Sequence, residues 1–167
     1  MAFLEPRPLQ KDDPLADFDC GNEVLNGFLQ RFAFQSQQSQ SARTYVTLTD
    51  SGEAAGYYTL AYGSVEHKDV PVRAKKGLAR HPVPVMILAR LAVARKFQGA
   101  GLRKALLRDA ALRTLQAADI AGLRAIVVHA KDDDAKRFYQ RYQFEPFTSD
   151  PLKLTLLLKD LRALVAD

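Results

Sequence analysis

Gln98-Gly99-Ala100-Gly101, followed at once by Leu102, Arg103 and Lys104, is the stretch of this chain best suited to chemistry. Its two glycines let backbone N–H groups come close to a ligand. Behind them Leu106, Leu107, Ala110, Ala111 and Leu115 recur at helical spacing, and ahead of them the branched run Val83–Val93 reads as a mostly buried strand. Strand, glycine turn and helix N-terminus together favour an anion, above all phosphate. The charges point the same way. A helix start ordinarily gains about 0.3–1 kcal/mol from each exposed acid, yet Arg103 and Lys104 occupy this first turn and no acid comes before Asp109. An anion seated between these cations and the helix dipole accounts for them; so would a solvated basic face on a tolerant helix.

Composition bounds what such a turn can serve. At 167 residues with 47% apolar content, the chain is expected to form one domain over residues 1–167, burying ~70% of its unfolded surface. No apolar run approaches the roughly 20 residues of a membrane span, and MAFLEPRPLQKDD lacks the basic start and apolar core of a secretory signal. Cys20 is the single cysteine, which excludes an internal disulfide and fits a cytoplasmic location. The net charge is +5, unevenly spread: between Val70 and Arg108 there is no acid, while Arg73, Lys75, Lys76, Arg80, Arg90, Arg95, Lys96, Arg103, Lys104 and Arg108 are basic. Such a field attracts polyanions, though a solubilising surface would look alike.

The elements that must position the turn follow from pattern. Phe3–Leu9 suggests a short edge strand interrupted by Pro6 and Pro8, and Asp17–Asn22 carries turn and N-cap chemistry. Val24, Leu25, Phe28, Leu29 and Phe32 mark one helix face, ending in the polar tract Gln35–Ser41, read as exposed loop or frayed helix. Arg43–Thr49 and Ala54–Val65 form a hairpin about Asp50–Glu53, with Tyr57, Tyr58 and Tyr62 as sheet packing. Glu66–His81 is expected to be a long basic loop. After the central helix, closed by Gly122, come a buried strand at Leu123–Ala130, a helix at Asp133–Tyr142, strands at Phe144–Phe147 and Leu152–Leu158, and a final helical turn over Asp160–Val165. Hairpins combined with one strand–helix–strand crossover give a mixed sheet in the α/β or α+β class.

The turn fits neither GxxxxGK[ST] nor a complete dinucleotide fingerprint. Gln98, Gly99, Gly101 and Leu102 instead resemble the pyrophosphate loop of the GNAT superfamily of N-acetyltransferases, Q/R-x-x-G-x-G/A. The resemblance runs along nearly the whole chain. FDCG (18–21), Leu25-Asn26, GYYTL (56–60), PVPVMILARLAV (82–93), VHAKD (128–132), Phe138-Tyr139 and DPLKLTLLLKDL (150–161) look like the TacT-type GNAT toxins of type II toxin–antitoxin systems.

That resemblance implies a GNAT fold, with a central mixed, mostly antiparallel sheet of six to seven strands flanked by helices. It implies acetyl-CoA as acetyl donor, the α-amine of an aminoacyl-tRNA as acceptor, and arrest of translation as the outcome. A ribbon-helix-helix antitoxin and a second copy in a homodimer are the implied partners, in the cytoplasm and without a membrane. Leu91, Ala92 and Val93 would hold the pantetheine arm as an added strand would. Backbone N–H groups from Gln98 to Lys104, Arg103 among them, would hold the pyrophosphate. Asp132 and Phe138 also fall to the donor site, and Tyr139 would protonate the departing thiolate. Read without the family, Tyr139 is equally a core tyrosine beside Phe138 and Tyr142.

Three positions depart from the family pattern. Ala94 stands where Asp is usual, Arg103 where a small residue is usual, and Gln143 where Gly is usual. Arg103 would either fold over the turn and fill the pyrophosphate space or point outward and add charge. Gln143 would strain its turn by ~1–3 kcal/mol if φ is positive. A GNAT acting on protein or small-molecule amines, and an impaired GNAT that only binds antitoxin or nucleic acid, are the alternatives. His67, His81 and His129 lack metal-ligand spacing, so no metal is expected, and His129 reads as a hydrogen-bonded core histidine. Cys20 has no neighbouring base, which argues against a covalent acetyl-enzyme.

Overall fold

The computed structural model describes residues 2–78 and 80–166. Strands β1 (Arg7–Pro8), β2 (Arg43–Leu48), β3 (Ala54–Val65), β4 (Val83–Val93), β5 (Ala125–His129), β6 (Glu145–Pro146) and β7 (Lys153–Leu157) make a seven-stranded sheet in the order β1-β2-β3-β4-β5-β7-β6. The β1–β2, β2–β3, β5–β7 and β6–β7 pairs are antiparallel and β4–β5 is parallel. Helices α1 (Glu23–Gly27), α2 (Ala33–Gln38), α3 (Val72–Lys75), α4 (Leu102–Ala118), α5 (Asp133–Gln140) and α6 (Leu158–Val165) complete the chain. A parallel pair needs a crossover, and α4 is the segment that supplies it. The residues group into two compact units, Met1–Ala61 with Ala89–Ala110 and Tyr62–Leu88 with Ala111–Asp167.

In the first unit the β2–β3 hairpin turns through Gly52 at φ +89, and register runs from Arg43↔Leu60 to Thr47↔Gly56 before a bulge at Leu48. The buried Thr44 hydroxyl is satisfied across the pair, 2.8 Å from Thr59 Oγ1, whereas the buried Thr47 hydroxyl has no partner among the described residues. Tyr57 and Tyr58 are wholly buried, as sheet packing requires. The Tyr57 hydroxyl donates to Leu25 O at 2.7 Å and the Tyr58 hydroxyl to the Asp109 carboxylate. Asn22 caps α1 by accepting from Leu25 N at 3.1 Å. Between α1 and α2 the helix widens into a π turn at Phe28–Phe32. Each i→i+5 closure adds a residue to the turn and rotates the buried face. Phe32 is therefore 55% exposed, and Val24 75%, where helical periodicity had set both on the buried side. The Gln/Ser tract is firmer than its composition suggests: Gln37 donates to Leu9 O at 2.8 Å and accepts from Thr44 N at 3.1 Å.

The second unit is built on a branched core of Val65, Val70, Val83, Val85, Ala125, Val127, Phe147 and Leu157. Its pairing runs from Val85↔Ala125 to Leu88↔Val128 and from Ala125↔Leu157 to His129↔Lys153. The expected loop over 66–81 contains a 3₁₀ turn at His67–Asp69 and the single-turn α3. Burial of Val70 and Ala74 and the ion pairs of Arg73 with Glu145 (2.9 Å) and Asp160 (2.8 Å) hold it. Phe3–Leu9 is strand only at Arg7–Pro8, with Phe3 forming an isolated bridge to Thr49, since the prolines lack the N–H a longer ladder needs. Tyr62 is 67% exposed and not packed as its neighbours are. Gly122 does not take the left-handed conformation of a helix cap.

Gln143 takes φ 73 after α5, a conformation that costs a side-chain-bearing residue about 1–2 kcal/mol. Gln143→Gly trades that strain against about 0.5–1 kcal/mol of lost chain entropy. It is expected to raise the melting temperature by about 1–4 °C in a circular-dichroism melt. Tyr57→Phe removes the hydroxyl donor to Leu25 O, which keeps the Phe28 N–H, and is expected to cost about 0.5–1.5 kcal/mol in urea unfolding. Burial drives the Tyr57 phenol pKa up, Cys20 adds to the rise, and Arg90 opposes it. The folded phenol thus holds its proton more tightly than the unfolded one. Stability is whole below the ordinary phenol pKa of about 10 and falls as pH climbs above it. Unfolding measured above pH 10 should show a steeper loss in the parent than in Tyr57→Phe.

Candidate functional site

The glycine turn leaves β4 through a 3₁₀ turn at Arg95–Phe97 and enters α4 at Leu102. Gly99 sits at φ +84 and Gly101 at φ +85, and a Cβ on either would meet nothing within 4 Å. Glycine is needed here for backbone hand rather than for room, and the space beside each is open. No atom of Arg103, half-buried on the first turn of α4, comes within 4 Å of either Cβ position. Among the described residues, the N–H groups of Gly99, Ala100, Gly101, Leu102 and Lys104 find no acceptor. Donors concentrated at a helix start, next to exposed Lys104, suit an anion.

Strand and helix are fixed close together behind this turn. A Cβ on Gly56 would lie 3.0 Å from Ala92 O and 3.0 Å from a methyl of Leu106, with Leu102 at 3.3 Å. Ala94 N donates to Ala55 O at 2.8 Å. Leu91 is half-buried and Ala92 and Val93 are buried on the last part of β4. The Gln98 side chain, expected among the donor-site residues, is spent inside the protein. Its Nε2 donates to Val93 O at 2.9 Å and to Cys20 O at 3.2 Å.

Residues 19–21 form a loop that the sequence marked as turn chemistry and as part of the FDCG motif, without assigning it a task at the glycine turn. Arg95 N donates to Asp19 O at 2.8 Å, and the Arg95 guanidinium lies where a Cβ on Gly21 would be 3.0 Å from Nε. Asn26 is buried, accepts from Cys20 N at 2.8 Å and donates to Asp19 Oδ1 at 3.1 Å. The Gly21 N–H at 2.9 Å, the Asn26 amide and Arg95 hold the Asp19 carboxyl below the usual carboxylate range. The adjoining D-C-G-N residues are the sequence signal for a loop of this kind, but nothing in them names its partners.

Asp132, Phe138 and Tyr139 lie in the second unit, whereas Leu91–Lys104 lie in the first. Asp132 caps α5, its Oδ1 accepting from Ala135 N at 2.9 Å. Phe138 and Tyr139 are buried, their ring centroids 5.2 Å apart and near edge-on. Tyr142 flanks Phe138 at 5.2 Å and Phe144 flanks Tyr139 at 5.4 Å. His129 is a correction: it ends β5 with its side chain exposed, 3.6 Å from Asp150, because the buried run stops one residue earlier. Cys20 is buried, with Sγ 3.6 Å from Asn22 O. Among the described residues, no cluster of three or more His, Cys, Asp or Glu could hold a metal ion.

Comparison with known proteins gives a consistent picture. The family model for the acetyltransferase (GNAT) domain matches residues 40–146. A tRNA-acetylating toxin of Mycobacterium tuberculosis is 46% identical over 165 residues, covering 99% of this chain and 98% of that protein. The solved structure of AtaT complexed with acetyl-methionyl-tRNAfMet is 28% identical with a TM-score of 0.89, covering 98% of this chain and 99% of that one. A tyrosine-to-phenylalanine mutant of AtaT, bound to the C-terminus of the antitoxin AtaR and acetyl-CoA, is 25% identical with a TM-score of 0.83, covering 99% of both chains. Full-length likeness of this kind, on a seven-stranded mixed sheet with a glycine turn ahead of α4, is not an accident of composition: the chain belongs to the GNAT acetyltransferase family.

Proposed function

We propose that this protein transfers the acetyl group of acetyl-CoA to the α-amine of an aminoacyl-tRNA and so blocks translation, as the toxin of a toxin–antitoxin pair. The observation that carries the reading is 46% identity, over almost the whole chain, to a tRNA-acetylating toxin. The open turn with its unaccepted N–H groups supports it, being suited to a diphosphate. So does the basic stretch from Val70 to Arg108, suited to a nucleic acid. A ribbon-helix-helix antitoxin, a homodimeric state and a cytoplasmic location belong to the same proposal.

Leu91–Val93 offer backbone groups to the pantetheine arm, although Val93 O already accepts from Gln98. Gly99, Gly101, Leu102 and Lys104 offer N–H groups to the pyrophosphate, and the charges of Arg103 and Lys104 add to the helix dipole there. Asp132 and Phe138 shape α5, which carries Tyr139. In the transfer the neutral amine attacks the thioester carbonyl carbon, a C–N bond forms and the C–S bond breaks. The amine nitrogen gives up its extra proton to solvent, and the Tyr139 phenol protonates the leaving thiolate.

Labelled acetyl-CoA and purified charged tRNA test the reading directly. Label should appear on the aminoacyl group, and absence of label from every charged tRNA would overturn it. Tyr139→Phe is expected to lower kcat by about 10²–10⁴ with acetyl-CoA affinity kept, and to relieve growth arrest in cells expressing the chain. Arg103→Ala is expected to weaken acetyl-CoA binding several-fold by calorimetry, more at low salt than at high.

A further inference from the structure

The Gln98 side chain, on an exposed residue at the start of the glycine turn, hydrogen-bonds back into the protein. Its Nε2 meets carbonyls from two separate segments, Val93 O at the end of β4 and Cys20 O in the 19–21 loop. That loop is itself tied down by Arg95 N on Asp19 O, by Asn26 on both Cys20 N and Asp19, and by the Arg95 guanidinium beside Gly21. Gly99 and Gly101, by contrast, have open space beside them and no side-chain packing to define their position. The Gln98 amide thus joins the turn directly to Cys20, 78 positions earlier in sequence, beside the backbone link from Arg95 N to Asp19 O.

We propose that Gln98 is a positioning residue for the acetyl donor, acting as an N–H donor that clamps the turn to the strand end and to the 19–21 loop. The clamp's effect on the donor rests on the preceding reading that acetyl-CoA occupies this turn. Both acceptors are carbonyl oxygens, so the requirement is for a donor and not for a shape. Glutamate, nearly isosteric but acceptor-only when ionised, would face two oxygens with a third. Arginine keeps N–H groups to give.

The test compares Gln98→Glu, Gln98→Ala and Gln98→Arg. The expected result for Glu and Ala is an acetyl-CoA KM raised roughly tenfold or more, with kcat at saturating donor within about twofold of the parent. Arg should return KM to within about threefold of the parent. Hydrogen exchange on the protein alone gives a readout independent of catalysis: residues 18–21 and 98–102 should both exchange faster in the Glu and Ala variants and recover in the Arg variant. An Arg variant as impaired as Glu, or faster exchange confined to 98–102, would overturn the clamp. A parent that does not bind acetyl-CoA would sink the donor-site reading instead, and the exchange data would still decide whether the clamp exists.

Discussion

The tight backbone approach in the first unit is at Gly56, where β3 lies against the end of β4 and the start of α4. With 3.0 Å to the Ala92 carbonyl of β4 and 3.0 Å to a Leu106 methyl of α4, a Cβ at this position would require its neighbours to give by a few tenths of an ångström. Real Cβ atoms do not tolerate such distances without something moving, and the backbone carbonyl cannot swing away as a side chain can. The glycine turn sits between the two partners of this contact in sequence, so its shape depends on the contact. Leu102 and Leu106 are buried, and among the described residues the N–H groups of Gly99, Ala100, Gly101, Leu102 and Lys104 face no protein acceptor.

Those donors gain meaning from the charges around them. A helix N-terminus with Arg103 and Lys104 in place of acids is electrostatically poor by itself and good with an anion present. The α5 helix solves the same problem in the ordinary way, with Asp132 as cap and Asp133 and Asp134 in the first turn. The two helix starts in one chain thus differ in whether the protein itself supplies the compensating acids. It also shows why Asp132 has a structural task whatever else it does.

Much of this was legible beforehand because it depends on short-range chemistry. β3 and β4 fall at the residues their apolar patterns mark, since branched runs bounded by turn residues have little choice. The resemblance to GNAT proteins, carried by motifs along the chain, anticipated the fold and the family that the comparisons bear out. Val24 and Phe32 were placed on a buried face by a 3.6-residue period that a π turn interrupts. His129 was assigned to the core because its strand is buried, although burial ends one residue before it.

The sequence by itself determined the local pieces: which runs are strands, where the chain must turn with positive φ, and where positive charge collects. These follow from covalent geometry and from periodicities that each residue carries with it. Only the tertiary structure decided which distant groups satisfy one another. Gln98 reaching Cys20 O, Tyr57 reaching Leu25 O and Arg73 pairing with Glu145 and Asp160 are pairings between residues far apart in the chain. A side-chain donor is compatible with many acceptors in sequence, and only the folded chain path, by bringing one acceptor within reach, selects the one it keeps.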